Sequence, residues 1–462
     1  MAAATVVTMS ALVVGTLAAS AQSPSAAPAA ASTGYAELDQ AMGADKPFAG
    51  SKVSIQTQWI GGEGANFAAA LQPFQDATGI QVQVDSIGSS HETVLKTRIE
   101  GGAPPDLAML AQPAAIKAYG AEGKLIDIAS FIDTKKLADE HPATVGLYSD
   151  GDKIWAIPYK VDVKSTVWYP IKAFEAAGYK VPTTYDELKA LEAQIVADGS
   201  NPWCIGMEAG SATGWQATDW LEDIVLRTAG VDAYNKWITH ELKFDSPEIK
   251  KAMDILAEIF FTEGNVYGGN TAIVATPQTQ PMDPMFPTDG NWDGFKPGCW
   301  MQKQATWYGP DFFPDQRTSG QPSQFKIGED IGLFYFPAID PAQGTPALGA
   351  GDALLMMADR PEVRALAEYL STPAGIEAWI KAGSAISANQ TTPADWYAGS
   401  YKLAVASDIV AKATSFGFDA SDLMPPQVGA GAEWTELTNW ISSGGADTEK
   451  VLQNIDAAWP AQ

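Results

Sequence analysis

The stretch KVSIQTQWIGGEGANFAAALQPFQDATGIQVQV, residues 52–84, decides the fold of this 462-residue chain. Val53 and Ile55 alternate with polar residues, as the residues of a half-buried strand do. Apolar residues then recur at helical spacing, at Phe67, Ala70, Leu71 and Phe74. Gly79 can end this helix, and alternation resumes from Ile80 to Val84. The stretch therefore predicts a strand, a helix and a second strand.

The α/β pattern continues beyond this stretch. A helix through residues 94–99 ends at two glycines, and residues 107–110 form a short apolar strand. This order of strands and helices indicates parallel strands joined by right-handed crossovers. Ligands of such sheets bind beyond the carboxyl ends of the strands, which fall here at residues 59–63 and 111–112.

A second α/β region follows residue 159. Residues 184–187 form a capping box that opens a helix. Residues 264–329 are rich in Gly, Pro and Asn, which predicts long loops with little regular structure. Further strands are expected at 331–336 and 353–357, and the last third of the chain is expected to be mainly helical.

Composition excludes several classes of function. The chain has 29 basic and 55 acidic residues, a formal charge of −26, and a length that suggests two or three cores. This charge repels nucleic-acid phosphates and anionic lipid headgroups, so we expect neither partner. Three scattered histidines (His91, His141 and His240) and two cysteines cannot form a multi-histidine or four-cysteine metal centre.

The N-terminus suggests export. Residues 6–18 are apolar over the length of a signal-peptide core, and small residues before Gln22 suit a cleavage site. We predict a signal peptide over 1–21 and a flexible lead-in over 22–45, with a buried N-terminal helix as the alternative. Residues 17–20 resemble a lipoprotein box with serine in place of the lipid-bearing cysteine, so we expect a periplasmic or cell-surface protein without a lipid anchor.

Export also favours a disulfide between the two cysteines. Cys204 and Cys299 allow a single intramolecular pairing. Two separate buried thiols are the alternative.

Several motifs lead to weaker interpretations. Residues 61–64 (GGEG) match neither a dinucleotide fingerprint nor a P-loop, so they offer Glu63 and backbone N–H groups to a neutral polyol or form a plain turn. Residues 289–294 open like a calcium loop, but Trp300 stands where a bidentate glutamate is needed. We favour an ordinary turn and predict no metal. No Gly-x-Ser-x-Gly motif occurs, and no carboxylate pair for glycoside hydrolysis stands out.

The fifteen tryptophans carry the strongest functional signal. A pyranose ring stacks its C–H face on an indole, while its hydroxyl groups bind polar side chains. Glu63 follows Trp59 and Asp219 follows Trp215, so such polar partners lie near. Core packing is the alternative for each ring, and as a set they favour a sugar site. The tryptophans in or beside turns, strand ends or lobe junctions are Trp59, Trp155, Trp168, Trp215, Trp220, Trp307 and Trp434.

Six segments together carry a resemblance to a known family. They are IQTQWIGGEG (55–64), GGAPPDLAML (101–110), GKLIDIASFID (123–133), WAIPYKVDVKSTVWYP (155–170), PWCIGMEAGSATGWQATDWLEDIVLRTAG (202–230) and GCWMQKQATWYGP (298–310). From about residue 50 on, the chain resembles the exported solute-binding proteins of ATP-binding-cassette (ABC) sugar importers. Within them, it most resembles the α-glucoside-binding branch of the maltose-binding-protein superfamily.

The resemblance implies an α/β fold of type II, with two lobes, a hinge that the chain crosses more than once and a ligand cleft between the lobes. The first lobe would hold 46–160 and 330–378, and the second 164–329 and 379–462. It also implies a monomeric receptor without a cofactor or catalytic activity, which delivers an α-glucoside such as maltose or trehalose to permease subunits. The alternatives are a surface carbohydrate-binding or adhesion module without a transporter, and an extracellular glycosidase.

The resemblance also implies a binding site. Glu63 would accept hydrogen bonds from sugar hydroxyls, Gln112 would add a polar contact, and Asp352 would cap another hydroxyl. Asp162 and Lys164 lie where the chain first crosses between lobes. The expected aromatic platforms are Trp215, Trp307 and Trp434, and the set is completed by Trp59 and Asp219.

Overall fold

The computed structural model describes residues 32–461. Its strands are β1 Lys52–Thr57, β2 Gln81–Ser86, β3 Leu107–Leu110, β4 Ser149–Asp150, β5 Lys153–Ile154, β6 Ala156–Val163, β7 Thr166–Pro170, β8 Asn201–Trp203, β9 Cys299–Lys303, β10 Ile331–Tyr335, β11 Ala347–Met356, β12 Ile386–Ser387 and β13 Phe416–Phe418. Its helices are α1 Ala36–Ala41, α2 Gly61–Thr78, α3 His91–Glu100, α4 Pro113–Ala121, α5 Thr134–Glu140, α6 Ile171–Ala177, α7 Tyr185–Ala197, α8 Trp215–Thr228, α9 Gly230–Ile238, α10 Pro247–Phe261, α11 Gly269–Ala275, α12 Pro314–Ser319, α13 Pro361–Ser371, α14 Glu377–Lys381, α15 Tyr401–Lys412, α16 Ala420–Leu423, α17 Trp434–Ser442 and α18 Thr448–Ala457.

The first lobe is built on a sheet with the strand order β12-β6-β11-β3-β1-β2, and β13 pairs with β11 outside this order. β1 pairs in parallel with β2 and β3, which confirms the pairing predicted from residues 52–110. Helix α2 buries Phe67, Leu71 and Phe74 and ends at Gly79, whose φ of 74° is left-handed. The residue patterns of 52–84 therefore predicted β1, α2 and β2 of this lobe correctly.

The second lobe is built on a smaller sheet with the strand order β10-β7-β9-β8. Strand β9 and helix α11 lie within residues 264–329, where we had expected little regular structure. That prediction was wrong for these segments. All five residues of β9 are buried, so the strand shows no alternation of apolar and polar residues.

Two predicted lobe boundaries differ from the structure. Strand β10 was assigned to the first lobe, but it pairs with β7 in the second-lobe sheet. The predicted boundary at residue 378 divides helix α14 and places β12 in the second lobe, but β12 pairs with β6, and Trp379 of α14 packs on Trp59 with 4.7 Å between ring centroids. The lobe to which each segment belongs is set by strand pairing between distant parts of the chain, which cannot be predicted from local sequence.

The described chain passes between the two sheets three times. The first passage lies between β6 and β7, at residues 163–166, and the second between β10 and β11. The third lies between β12 and α16: α15 contacts β10, β13 pairs with the start of β11 in the first-lobe sheet, and α16 then packs on α8. These passages form the hinge of a two-lobe fold of type II, as the sequence predicted.

The N-terminal predictions meet the structure only in part. The predicted signal peptide, 1–21, lies outside the described residues, as do residues 22–31. Within the rest of the lead-in, where no helix was predicted, α1 is anchored on α13: Leu38 is buried, and its backbone N–H donates to Glu368 Oε2 at 2.7 Å. Among the described residues, every helix is too short or too polar to pass through a lipid bilayer.

The predicted disulfide joins Cys204 and Cys299 and is confirmed. Their Cα atoms are 5.3 Å apart, and the bridge ties the segment after β8 to the first residue of β9. We expect the protein, unfolded without a reductant, to expose no thiol to an alkylating reagent. Mass spectrometry before and after reduction measures this, and alkylation of either cysteine without reduction would contradict the bridge.

Candidate functional site

A cleft of about 290 Å³ lies between the two lobes. The first lobe lines it with residues that follow β1 and β3, where the sequence predicted ligand contacts. The second lobe lines it with residues 208–215, with the start of α16 and with Trp434. The lobes are in contact at its rim, where Ser211 Oγ donates to the backbone oxygen of Ser89 at 3.4 Å.

Lys160 organises the first-lobe side of the cleft. Its ammonium lies 3.1 Å from Asp162, 3.5 Å from Asp352 and 3.8 Å from Glu63. Gln58 Nε2 also donates to Asp352 Oδ1 at 2.6 Å. Burial lowers the pKa of the Lys160 ammonium, but the three carboxyl groups outweigh it and hold that pKa above its usual range. This side therefore presents carboxylate oxygens held in place by a buried cation.

Lys164 organises the second-lobe side in the same way. Its ammonium lies 2.6 Å from Asp219 Oδ1 and 2.5 Å from Asp419 Oδ2. It also lies 5.2 Å from the centre of the Trp215 ring, within the range of a cation–π contact. The ion pair thus fixes both the acidic cluster and one aromatic ring of the cleft.

Aromatic rings form a wall on the second lobe. The rings of Trp215 and Trp307 lie 6.1 Å apart and are partly exposed, and Phe312 lies 5.1 Å from Trp307. Trp434 is nearly buried and packs with Trp215, Ala209 and Ala212. A wall of indole faces opposite carboxylates suits a flat polyol with one apolar face.

Nine of the ten predicted site residues line the cleft. The exception, Asp219, lies behind Lys164 and binds its ammonium. Trp59 lines the cleft but is only 2% exposed and packs on Phe67 and Trp379, so it belongs to the first-lobe core and offers no open ring face. Three other tryptophans considered from sequence are buried in cores: Trp155, Trp168 and Trp220.

Sequence reasoning missed other lining residues. Gln58 lies next to Trp59, and Glu92 lies near the start of α3. Asp419, Ser421 and Asp422 follow β13 at the start of α16, where Asp419 caps the helix by accepting from the backbone N–H of Asp422. The signal that could have found the last three is a polar cluster directly after a short strand.

Burial changes the acidity of several groups in the cleft. It raises the pKa of Glu63 to about 8, with Lys160 opposing this shift, and that of Glu92 to about 7. Burial also raises the pKa of Asp422 well above its usual value, and neighbouring Asp419 adds to this shift. Closure of the cleft therefore favours the protonated form of these three groups unless a ligand supplies positive charge or donors.

Residues 289–294, which resemble the start of a calcium loop, form turns closed by their own side chains. Asp289 Oδ1 accepts from the backbone N–H of Asn291 at 2.9 Å, and Asn291 Oδ1 accepts from that of Asp293 at 3.0 Å. These are consecutive Asx turns, as favoured from the sequence.

Comparison with known proteins places the chain in a family. Residues 60–377 match the model of the bacterial extracellular solute-binding proteins, and the chain belongs to this family. It is a binding protein and not an enzyme.

Two curated relatives span most of the chain. The alpha-glucosides-binding periplasmic protein AglE of Rhizobium meliloti is 35% identical over 421 residues, 89% of this chain and 87% of the relative. The osmoprotective compounds-binding protein GgtB of Synechocystis is 34% identical over 410 residues, 88% of this chain and 92% of the relative. Among solved structures, the bacterial solute receptor AcbH superposes with a TM-score of 0.73 at 17% identity, over 88% of this chain and 98% of that one.

Proposed function

We propose that this protein is an exported receptor that captures an α-glucoside between its lobes and delivers it to an ABC permease. The observation that carries the proposal is the composition of the cleft. Trp215 and Trp307 offer ring faces on one side, and carboxylates held by Lys160 offer hydrogen-bond acceptors on the other. The similarity to AglE, whose name states that it binds alpha-glucosides, supports this choice of ligand class.

The size of the cleft supports a small ligand. A cavity of about 290 Å³ is at the lower end of the roughly 300 to 1,000 Å³ that is usual for ligand pockets. A glycoside of one or two rings fits such a space better than a long glucan does. Contacts to both lobes would be made only in the closed form, so the ligand would shift the protein toward that form.

A sugar panel tests the proposal. We expect maltose, trehalose or sucrose to raise the thermal stability of the protein, by about 2.7 kcal/mol at a concentration of 100 times the dissociation constant. Calorimetry then gives the affinity. The absence of any stabilisation or heat with these sugars, with glucose and with galactose would contradict the proposal. Uptake of the binding sugar by cells that lack the gene separates a transport receptor from an adhesion module, because only the former is needed for uptake.

Trp215→Ala tests the aromatic wall. Loss of ring stacking should weaken binding of the best sugar of the panel by about threefold to tenfold, measured by calorimetry, without unfolding the protein. Trp459→Ala is the matched control, since this partly exposed ring stacks on His240 and does not line the cleft. Equal affinities of the two variants would remove Trp215 from the site.

A further inference from the structure

We propose that the cleft selects its ligand by charge: it binds α-glucosides that carry a protonated amine in place of one hydroxyl more tightly than neutral ones, and it rejects anionic ones such as sugar phosphates. This inference rests on the proposed function, because it names the class of glycoside that the same cleft accepts.

Carboxyl groups outnumber lysines on the cleft wall. Among the described residues that line it, two are lysines, Lys160 and Lys164, and none is an arginine. The lining residues with carboxyl groups are Glu63, Glu92, Asp162, Glu208, Asp352, Asp419 and Asp422. Even with Glu63, Glu92 and Asp422 protonated, a charged ligand meets more carboxylates than ammonium groups on this wall.

Both lysines are already paired. Lys160 lies between Asp162 and Asp352, and the Lys164 ammonium lies between one carboxylate of the wall, Asp419, and one behind it, Asp219. An anionic sugar would have to displace one of these carboxylates to reach a cation. In the part of the chain that the structure describes, the cleft wall thus offers no free cation to a phosphate or a carboxylate of the ligand.

Three of the lining carboxyl groups form no ion pair with a described residue, namely Glu92, Glu208 and Asp422, and of these only Glu208 is exposed. In residues 32–461, no lysine or arginine forms an ion pair with Glu92 of the first lobe or with Asp422 of the second. Asp422 is buried and Glu92 is partly buried, and this burial raises the pKa values of both groups. A ligand ammonium would supply the missing positive charge, and its own desolvation and the ionisation of these carboxyl groups would oppose binding.

Gln112 provides an independent observation. Its side chain is on the cleft wall and only 8% exposed, and its Oε1 atom accepts no hydrogen bond from the described residues. A hydrogen bond with the same side chain stabilises the ionised form of Asp422. An ammonium group has three donors where a hydroxyl has one, so it can serve the carboxylate and the amide oxygen together. Hydrogen bonds between charged groups are also about twice as strong as neutral ones.

Calorimetry with matched sugars tests the inference. The probes are trehalose, maltose and sucrose, their derivatives with an amine in place of the hydroxyl at C2, C4 or C6 of a glucose ring, and their 6-phosphates. We expect one amino derivative to bind about tenfold more tightly than its neutral parent at pH 7. We expect every phosphate to bind at least tenfold more weakly than its parent.

The outcomes separate the inference from the proposed function. If a neutral parent binds but every amine weakens binding, or if a phosphate binds as well as its parent, charge selection is wrong and the α-glucoside receptor stands. If no neutral or amino sugar binds, both are wrong. Binding of an amino sugar alone would support charge selection and contradict the part of the proposed function that names neutral α-glucosides.

Charge-neutral variants locate the effect. In Asp422→Asn and, separately, Glu92→Gln, we expect the ratio of amine affinity to parent affinity to fall toward one. Asp152→Asn is the matched control, because Asp152 is exposed in a turn outside the cleft wall, and it should keep the wild-type ratio. A thermal unfolding curve checks that each variant folds. A wild-type ratio in both cleft variants would overturn the assignment of the cation to these carboxylates.

Discussion

Replacing Lys164 with methionine is expected to lower the free energy of unfolding by about 3 to 5 kcal/mol. The ammonium is buried between Asp219 and Asp419, and the nearest oxygens of these two groups and of Glu222 lie within 4.8 Å of one another. Lys303 cannot replace the lost charge, because its ammonium pairs with Asp223 at 3.3 Å. Removing Lys164 therefore leaves buried carboxylates that repel one another.

Chemical unfolding measures this loss, and Lys172→Met is its control. Lys172 also pairs with an aspartate, Asp330 at 2.6 Å, but its side chain is 48% exposed. Exposed ion pairs contribute about 0 to 1 kcal/mol, so the control should lose little stability. An equal loss of stability in both variants would show that burial of the ion pairs of Lys164 does not explain the effect.

The pH dependence of the Lys164 variant follows from the same charges. Without the ammonium, the folded-state pKa of Asp219 must rise further, and the pKa of Asp419, which Lys164 helps to hold below its usual value, must rise as well. Asp219 already has its pKa raised to about 6 by burial, even with Lys164 opposing this shift. Groups with raised pKa values stabilise the folded state at low pH and lose this contribution as the pH rises through the folded-state pKa. The loss in free energy of unfolding caused by Lys164→Met should therefore be smaller at pH 5 than at pH 8. A loss that does not change with pH would contradict this electrostatic explanation.

The sequence predicted the parts of the fold that depend on local patterns. The alternation around Val53 and the helical spacing around Phe67 are set by neighbours a few residues away, so β1, α2 and β2 could be read directly. Strand β9 could not be predicted in this way, because all five of its residues are buried and its polar residues, Gln302 and Lys303, are adjacent and do not alternate with apolar ones. The lobe of β10 depends on its pairing with β7, more than 160 residues earlier in the chain.

In the cleft as well, local sequence patterns identified some residues, and only the tertiary structure identified others. Trp59 lies just before α2 and Trp215 is the first residue of α8, yet the Trp215 ring lies partly open to the cleft and the Trp59 ring is packed on Trp379. Only the tertiary packing decides which indole keeps a free face. Asp419 was missed for a related reason: its partner Lys164 is 255 positions away, so no spacing rule connects them.

Gly62→Ala is expected to weaken sugar binding by roughly 5-fold to 150-fold, equivalent to about 1 to 3 kcal/mol. Gly62 lies in the first turn of α2, and a methyl group there would overlap the carboxyl group of Asp311 from the second lobe. The same carboxyl group accepts from Asn66 Nδ2 at 3.3 Å, so these lobes meet closely at this point. The substitution should obstruct the closed form, in which the ligand contacts both lobes.

Gly62→Ala should impair closure of the lobes without impairing folding. Alanine favours a helix more than glycine does, by up to about 1 kcal/mol, so Gly62→Ala should leave the unliganded protein as stable as the wild type or more so. Calorimetry measures the affinity, and small-angle scattering measures whether the sugar still compacts the protein. Gly146→Ala is the control, since a methyl group there meets no atom within 4 Å. Adding Asp311→Gly to Gly62→Ala removes the overlap and should restore part of the affinity. If Gly62→Ala alone binds as tightly as the wild type, Asp311 does not approach α2 when the ligand is bound.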